Sequence, residues 1–201
     1  MQMLEELGTK IADALPGAVR GWNIAFGELT LEAEGGEIVR VLTHLRDDPD
    51  CRFTVLIDIT AVDWPQREKR FDVVYHLLSL SGNWRVRVKL QVEENASVPS
   101  SVEVFPAAGW SERETFDMYG ITFAQHPDLR RLLTDYGFSG YPLRKDFPLT
   151  GYVELRYDEE QKRVVYQPVE LVQEFRDFDF MSPWEGARAI MADDKAKKEK
   201  P

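Results

Sequence analysis

Cysteine is almost missing from this chain, histidine is scarce, and no apolar run is long. Each shortage closes off a class of function. The single cysteine, Cys51, can form no internal disulfide and cannot hold an iron–sulfur cluster, which usually takes four thiolates. At the head of an apolar run it reads as a small core residue. His44, His76 and His126, the only three histidines, are scattered without metal-ligand spacing. There is no glycine-rich phosphate loop and no Gly-x-Ser-x-Gly elbow. The most apolar stretch, Phe53 to Val62, is interrupted by Asp58 and falls well short of the roughly 18 residues that a membrane span requires. Positive charge is also short: 25 Lys and Arg face 35 Asp and Glu, for a net charge of −10. That balance argues against nucleic-acid binding through phosphates and disfavours adhesion to anionic lipid. The opening Met-Gln-Met-Leu-Glu-Glu lacks a basic region followed by an apolar one, so no secretory signal or transit peptide is expected.

What is present suffices for one compact domain and an extension, at 201 residues and 43% hydrophobic. Leu4, Leu7, Ile11 and Leu15 recur at helical spacing, and Pro16-Gly17 stops the pattern. Segments 19–26 and 29–34 predict a hairpin. A second helix is expected to carry Ile38, Val41, Leu42 and Leu45 on one face. Three strands should follow. Residues 53–63 are apolar on both faces and are expected to sit centrally; 71–80 are similar. Residues 84–92 alternate, with Trp84, Val86, Val88, Leu90 and Val92 opposite Arg85, Arg87, Lys89 and Gln91. A helix is expected over 107–119. The fold class is therefore α+β: an N-terminal α/β domain with an open mixed or antiparallel sheet flanked by helices, then an extended, irregular C-terminal segment. Boundaries are expected near residues 1–120, 121–186 with a short hairpin at 152–167, and a mobile charged tail over 187–201.

Aromatic residues are distributed unevenly. Of 23 in the chain, 16 lie between Phe105 and Trp184, where regular periodicity is weakest. If half of these were covered by another chain, on the order of 1,200 Å² would be buried, against about 800 Å² per partner in a standard interface. The second half of the chain is accordingly expected to lie against another polypeptide.

The one candidate for chemistry is Glu112-Arg113-Glu114-Thr115-Phe116-Asp117. On a helix, Glu114 and Asp117 are neighbours and could share a metal or a proton. The alternative is an ion-pair network with Arg113, Arg130, Arg131, Arg144 and Lys145. That alternative is preferred, because no histidine accompanies the acids at metal spacing. Arg144-Lys145-Asp146 is read in the same way, as a lock onto a neighbouring surface rather than an anion clasp.

The run Glu112-Arg113-Glu114-x-x-Asp117-Met118-Tyr119-Gly120-Ile121 and then His126-Pro127-x-Leu129-Arg130-Arg131-Leu132-Leu133 resembles the signature of the C subunit of respiratory NADH:quinone oxidoreductase, complex I. Residues 134–138, Pro142 through Leu149, 151–154, Arg156-Tyr157-Asp158, Glu174-Phe175-Arg176 and Ser182-Pro183-Trp184-Glu185 extend the match. Many members carry histidine where this chain has Tyr141. The resemblance implies a non-catalytic structural subunit in the peripheral arm of a proton-translocating enzyme. Such a protein packs chiefly on the large D subunit, beside iron–sulfur subunits, on the cytoplasmic side of the bacterial inner membrane. It implies that the chain itself binds no cofactor or metal, while the complex uses NADH, FMN, iron–sulfur clusters and quinone. The expected contact residues are Glu112, Arg113, Glu114, Asp117, His126, Arg130, Arg144, Lys145, Asp146, Phe147, Arg176 and Trp184, with the Arg85/Arg87/Lys89 face as a second contact. The short acidic N-terminus points to a bacterial form fused to nothing. A subunit of a related membrane-bound hydrogenase is the alternative reading, and a metal-dependent hydrolase using Glu112, Glu114 and Asp117 ranks last.

Overall fold

The structure is a computed structural model that describes residues 2–173, which fall into two compact units meeting in sequence at Gly151 and Tyr152. The first begins with α1 (Gln2–Ala14). Leu7 and Ile11 on this helix, and Leu15 just past it, are buried, as their helical period requires. Gly8 marks the contact with the sheet, because a Cβ there would stand 2.7 Å from the Trp22 ring. The hairpin of β1 (Val19–Ala25) and β2 (Glu28–Ala33) follows. A single 3-10 turn then leads into α2 (Ile38–Asp47), which buries Ile38, Val41, Leu42 and Leu45.

The remaining elements of this unit are β3 (Val55–Asp63), β4 (Phe71–Ser79), β5 (Trp84–Val92), β6 (Ser97–Pro99), α3 (Ala108–Tyr119) and β7 (Thr122–Ala124). The main sheet has five strands in the order β1-β2-β5-β4-β3. Only the β2–β5 pairing is parallel, so the sheet is mixed, as expected. Phe71, Val73, Tyr75 and Leu77 of β4 lie across from Val92, Leu90, Val88 and Val86 of β5. Together with the buried residues of α1 and α2 they form one core. Cys51 is part of it at 2% exposure, and burial pushes its thiol up to about 12.

Residues 53–63 do not sit centrally. β3 is an edge strand, and β5 takes the middle. The physical reason lies far away in sequence: α3 covers this edge, and the Thr115 hydroxyl donates to the Ile59 carbonyl at 3.1 Å. A covered edge tolerates apolar residues that an open one would not. Ile57 and Val62, on the other face of β3, remain exposed.

β6 and β7 pair in parallel on either side of α3, so the helix acts as their crossover. The compact unit continues past residue 120 to Gly151, because side chains of α3 and of the β3–β4 region hold the following segment. The second unit is a hairpin of β8 (Val153–Asp158) and β9 (Arg163–Pro168), each strand one residue later than the sequence predicts. Asp158 Oδ1 caps its turn by accepting the Glu160 and Gln161 amides, each at 2.9 Å. The charged tail expected over 187–201 lies outside the described residues.

Candidate functional site

The residues of the densest motif meet around α3. Glu112 is fully buried. Its Oε1 accepts the Ser101 amide at 2.7 Å and the Ser101 hydroxyl at 2.6 Å, and its Oε2 accepts the Ser100 hydroxyl at 2.6 Å. The carboxylate therefore ties the loop after β6 to the helix. The His126 ring stands beside it, with Nε2 at 3.9 Å from Glu112 and a side-chain exposure of 2%. Its Nδ1 accepts the Asp128 amide at 3.0 Å, so the proton sits on Nε2, which faces the Gly109 carbonyl at 3.2 Å.

Asp117 is likewise fully buried. Its Oδ2 accepts three successive backbone amides, from Leu132 at 2.9 Å, Leu133 at 2.6 Å and Thr134 at 2.9 Å. Its Oδ1 accepts the Thr134 hydroxyl at 2.7 Å and the Arg131 guanidinium at 3.1 Å. Burial alone would raise the carboxyl pKa, but the Thr134 hydroxyl and the amides outweigh it and hold it at about 2. Successive amides converging on one anion form a nest, here filled from within the chain.

A third cluster holds the next stretch. Arg70 grips the buried Asp63 with two bonds of 2.7 and 2.9 Å, and it reaches Asp146 at 3.0 Å and Glu94 at 3.3 Å. Asp63 Oδ2 also accepts the Lys145 amide at 2.7 Å. Burial works against ionising Asp63, yet the Arg70 fork keeps its pKa lowered. Arg144 donates to the Tyr119 carbonyl at 2.6 Å and to Glu94 at 2.7 Å, with its guanidinium 4.5 Å from the Tyr141 ring centre. Gly120 makes this crossing possible. It caps α3 at φ 75°, and a Cβ there would lie 2.6 Å from the Tyr141 ring.

The predicted site residues thus divide. Glu112 and Asp117 have no surface to offer a partner, and their acceptor sites are filled by this chain. The pairing of Glu114 with Asp117 does not form, since Glu114 is exposed while Asp117 turns inward. Arg113 donates to the Arg130 and Arg131 carbonyls at 3.1 and 3.3 Å and leans on Trp110; the expected carboxylate partner is replaced by backbone. Arg130 is exposed and pairs locally with Asp128. Lys145 and Asp146 are exposed. Phe147 is half-buried, 6.0 Å from Phe138 by ring centre. Arg176 and Trp184 lie outside the described residues. Sequence reasoning missed Asp63, Arg70, Glu94 and the Ser100-Ser101 pair, which stand in no motif and become partners only through the fold. No group of three or more His, Cys, Asp or Glu able to hold a metal occurs among the described residues, and none of the described helices is long and apolar enough to cross a membrane.

Exposed apolar side chains occur here, as at Trp110 and Leu133, and a paired set of them lies on the hairpin. On β8–β9 the register sets Leu155 opposite Tyr166 and Tyr157 opposite Val164, with Val153 on the same face. All five are more than half exposed, between 51% and 63%.

A mixed α+β scaffold whose motif carboxylates serve as internal ties, and whose hairpin displays apolar side chains outward, has the character of a component of a larger assembly. The family model for the respiratory-chain NADH dehydrogenase 30 kDa subunit matches residues 31–153, and the chain belongs to that family. It is 68% identical over 194 residues to the NADH-quinone oxidoreductase C subunit of Maricaulis maris, covering 96% of this chain and 97% of that one. The corresponding protein of Xanthobacter autotrophicus is 59% identical over 201 residues, covering 100% and 96%. Among solved structures, a chain of the membrane-bound sulfane sulfur reductase, an archaeal respiratory membrane complex, superposes with a TM-score of 0.64 at 26% identity, covering 80% of this chain and 98% of that one.

Proposed function

We propose that this chain is the C subunit of a bacterial NADH:quinone oxidoreductase, a non-catalytic member of the peripheral arm. Its hairpin packs on the large D subunit, and iron–sulfur subunits lie nearby. In this reading the chain binds no flavin, cluster or quinone. It supports electron transfer from NADH to quinone by holding the quinone-site protein in place on the cytoplasmic side of the inner membrane.

The observation that carries the reading is the apolar face of β8–β9. A two-stranded hairpin is at best marginally stable alone in water, and a face of two tyrosines, two valines and a leucine is the composition of an interface centre. The relatives at 59–68% identity carry the oxidoreductase name, whereas the sulfane sulfur reductase chain stands at 26%. The fold therefore serves more than one respiratory complex, and the identities favour the NADH:quinone enzyme over a hydrogenase-type assembly.

The test replaces Leu155 and Tyr166 together by Asp in the genomic copy. Solubilised membranes should then contain several-fold less assembled complex, and the loss should fall on the amount of complex rather than on the turnover of each. A double variant recovered with the D subunit at the wild-type level would overturn the reading.

A further inference from the structure

We infer that the end of the main sheet bearing the β1–β2 turn is a second docking surface, with Phe26 as its anchor. Its occupant is an apolar pocket, rimmed by carboxylates, on another protein of the same assembly. The inference rests on the reading of the chain as part of such an assembly, and it concerns a surface far in sequence from β8–β9.

The first observation is a turn residue that does not suit its turn. Ala25 pairs with Glu28, so the loop is the two residues Phe26-Gly27, with φ of 53° and 80°. Positive φ at both positions is the type I′ arrangement, which favours Asn-Gly. Glycine adopts that backbone freely, but a bulky phenylalanine there is strained. Such strain persists where it serves a purpose other than stability. Phe26 is also wholly exposed, at 106%, so its ring packs on nothing that would offset the strain. A rigid aromatic held out on a tight turn has the character of an interface hot spot.

The second observation is the company it keeps. Leu29 pairs with Val86, which brings the Phe26 turn beside the β4–β5 turn, where Leu80 is 70% exposed. Glu28, Ile57 and Arg85 line one small depression of about 30 Å³ on the adjoining sheet face. Arg52 borders the β4–β5 turn, lining a shared concavity with Gly82, Trp84 and Asp50, whose carboxylate is taken by Lys10. Glu28 is matched by Arg87 at 2.6 Å. Arg52 and Arg85 have no ion-pair partner among the described residues. In a chain of net charge −10, uncompensated cations beside two exposed apolar side chains select an apolar, acid-rimmed partner surface.

The experiment pits a Phe26→Asn chain against the wild type, each with its own tag and co-expressed in the native host. Their ratio in the purified complex is then read by quantitative mass spectrometry. Asn suits the turn, so the isolated variant should melt at the wild-type temperature or above it. Its share of the complex should nevertheless fall about tenfold or more, as expected for the loss of an anchor. Phe26→Tyr should compete normally, and Arg85→Glu should compete poorly. Equal incorporation of Phe26→Asn and wild type would overturn the proposal, as would a lower melting temperature for the variant, because Phe26 would then serve the fold. If the tagged wild-type chain itself failed to enter the complex, it is the assembly reading that would fall.

Discussion

The Asp117 carboxylate stands 2.6 Å from the Leu133 amide, within a nest of three consecutive backbone N–H groups. This contact explains why an acidic residue on α3 and an unremarkable Leu-Leu-Thr loop belong to one motif. Neither half is satisfied without the other. Asp117→Asn keeps the size but exchanges one acceptor oxygen for a donor amide, facing groups that are themselves donors. We expect a loss of about 2–4 kcal/mol in denaturant unfolding of the isolated chain, with faster hydrogen exchange at residues 132–134.

The same carboxylate sets a pH dependence. Its pKa falls from an ordinary 3.8 to about 2 in the folded chain. A group depressed on folding contributes its stability in full above the unfolded pKa and loses it as pH falls through the folded one. The contribution is roughly 2–3 kcal/mol. The stability gap between wild type and Asp117→Asn should therefore be flat above pH ~5 and should narrow between pH ~4 and ~2. A gap that stayed constant across that window would mean Asp117 is not the titrating group.

Tyr75 carries a different kind of information. Its hydroxyl is the buried side-chain polar atom without a hydrogen-bond partner among the described residues, in the middle of β4 and at 0% exposure. Burial, with the nearby Glu112 charge adding to it, raises its pKa well above the usual value. An unpaired buried hydroxyl costs about 1–3 kcal/mol, so Tyr75→Phe should hold or raise the melting temperature. A clear drop would reveal a partner for the hydroxyl.

Arg144 joins two elements by shape as much as by charge. It donates to the Tyr119 carbonyl and to Glu94, and it lies over the Phe71 and Tyr141 rings at 5.2 and 4.5 Å. Lysine keeps the charge but has no planar fork to stack and bond in two directions. Arg144→Lys should therefore lose nearly as much stability as Arg144→Ala, about 2–3 kcal/mol by thermal unfolding. A lysine variant as stable as wild type would show that charge alone suffices.

Much of this was legible in the sequence, and the boundary of legibility has a physical cause. The apolar faces of α1 and α2 and the alternation of β5 were readable because they follow from local period. The edge position of β3 was not, because its cover comes from Thr115 on α3, more than fifty residues later. Of the partners of the motif acids, Arg131 was legible and does reach Asp117, but the backbone amides and serine hydroxyls were not. Ser101 and Leu133 contribute backbone amides, which every residue has, so no side-chain pattern marks them. The Asp63–Arg70 tie was invisible for a related reason. Its two ends flank an ordinary strand connection, and only the return of Lys145 and Asp146 to that point gives the pair its function.

The hairpin offers the most direct link between structure and assembly. Leu155, Tyr157, Val164 and Tyr166 form one face and are all exposed. On the opposite face a polar tie from Gln167 to Glu154 at 2.5 Å is part of what holds the strands together. Two strands bury too little apolar area to offset the ordering of their backbone. In the free chain, the amides of 153–158 and 163–168 should therefore exchange within seconds to minutes, while those of β4 and β5 stay protected far longer. In the purified complex the same hairpin amides should be protected by at least about a hundredfold, because a partner that covers the apolar face must be displaced before the strands can open. Hydrogen exchange followed by mass spectrometry on both samples measures this directly. Equal protection in the free chain and in the complex would mean that the hairpin is stable on its own and that its apolar face does not depend on a partner for order.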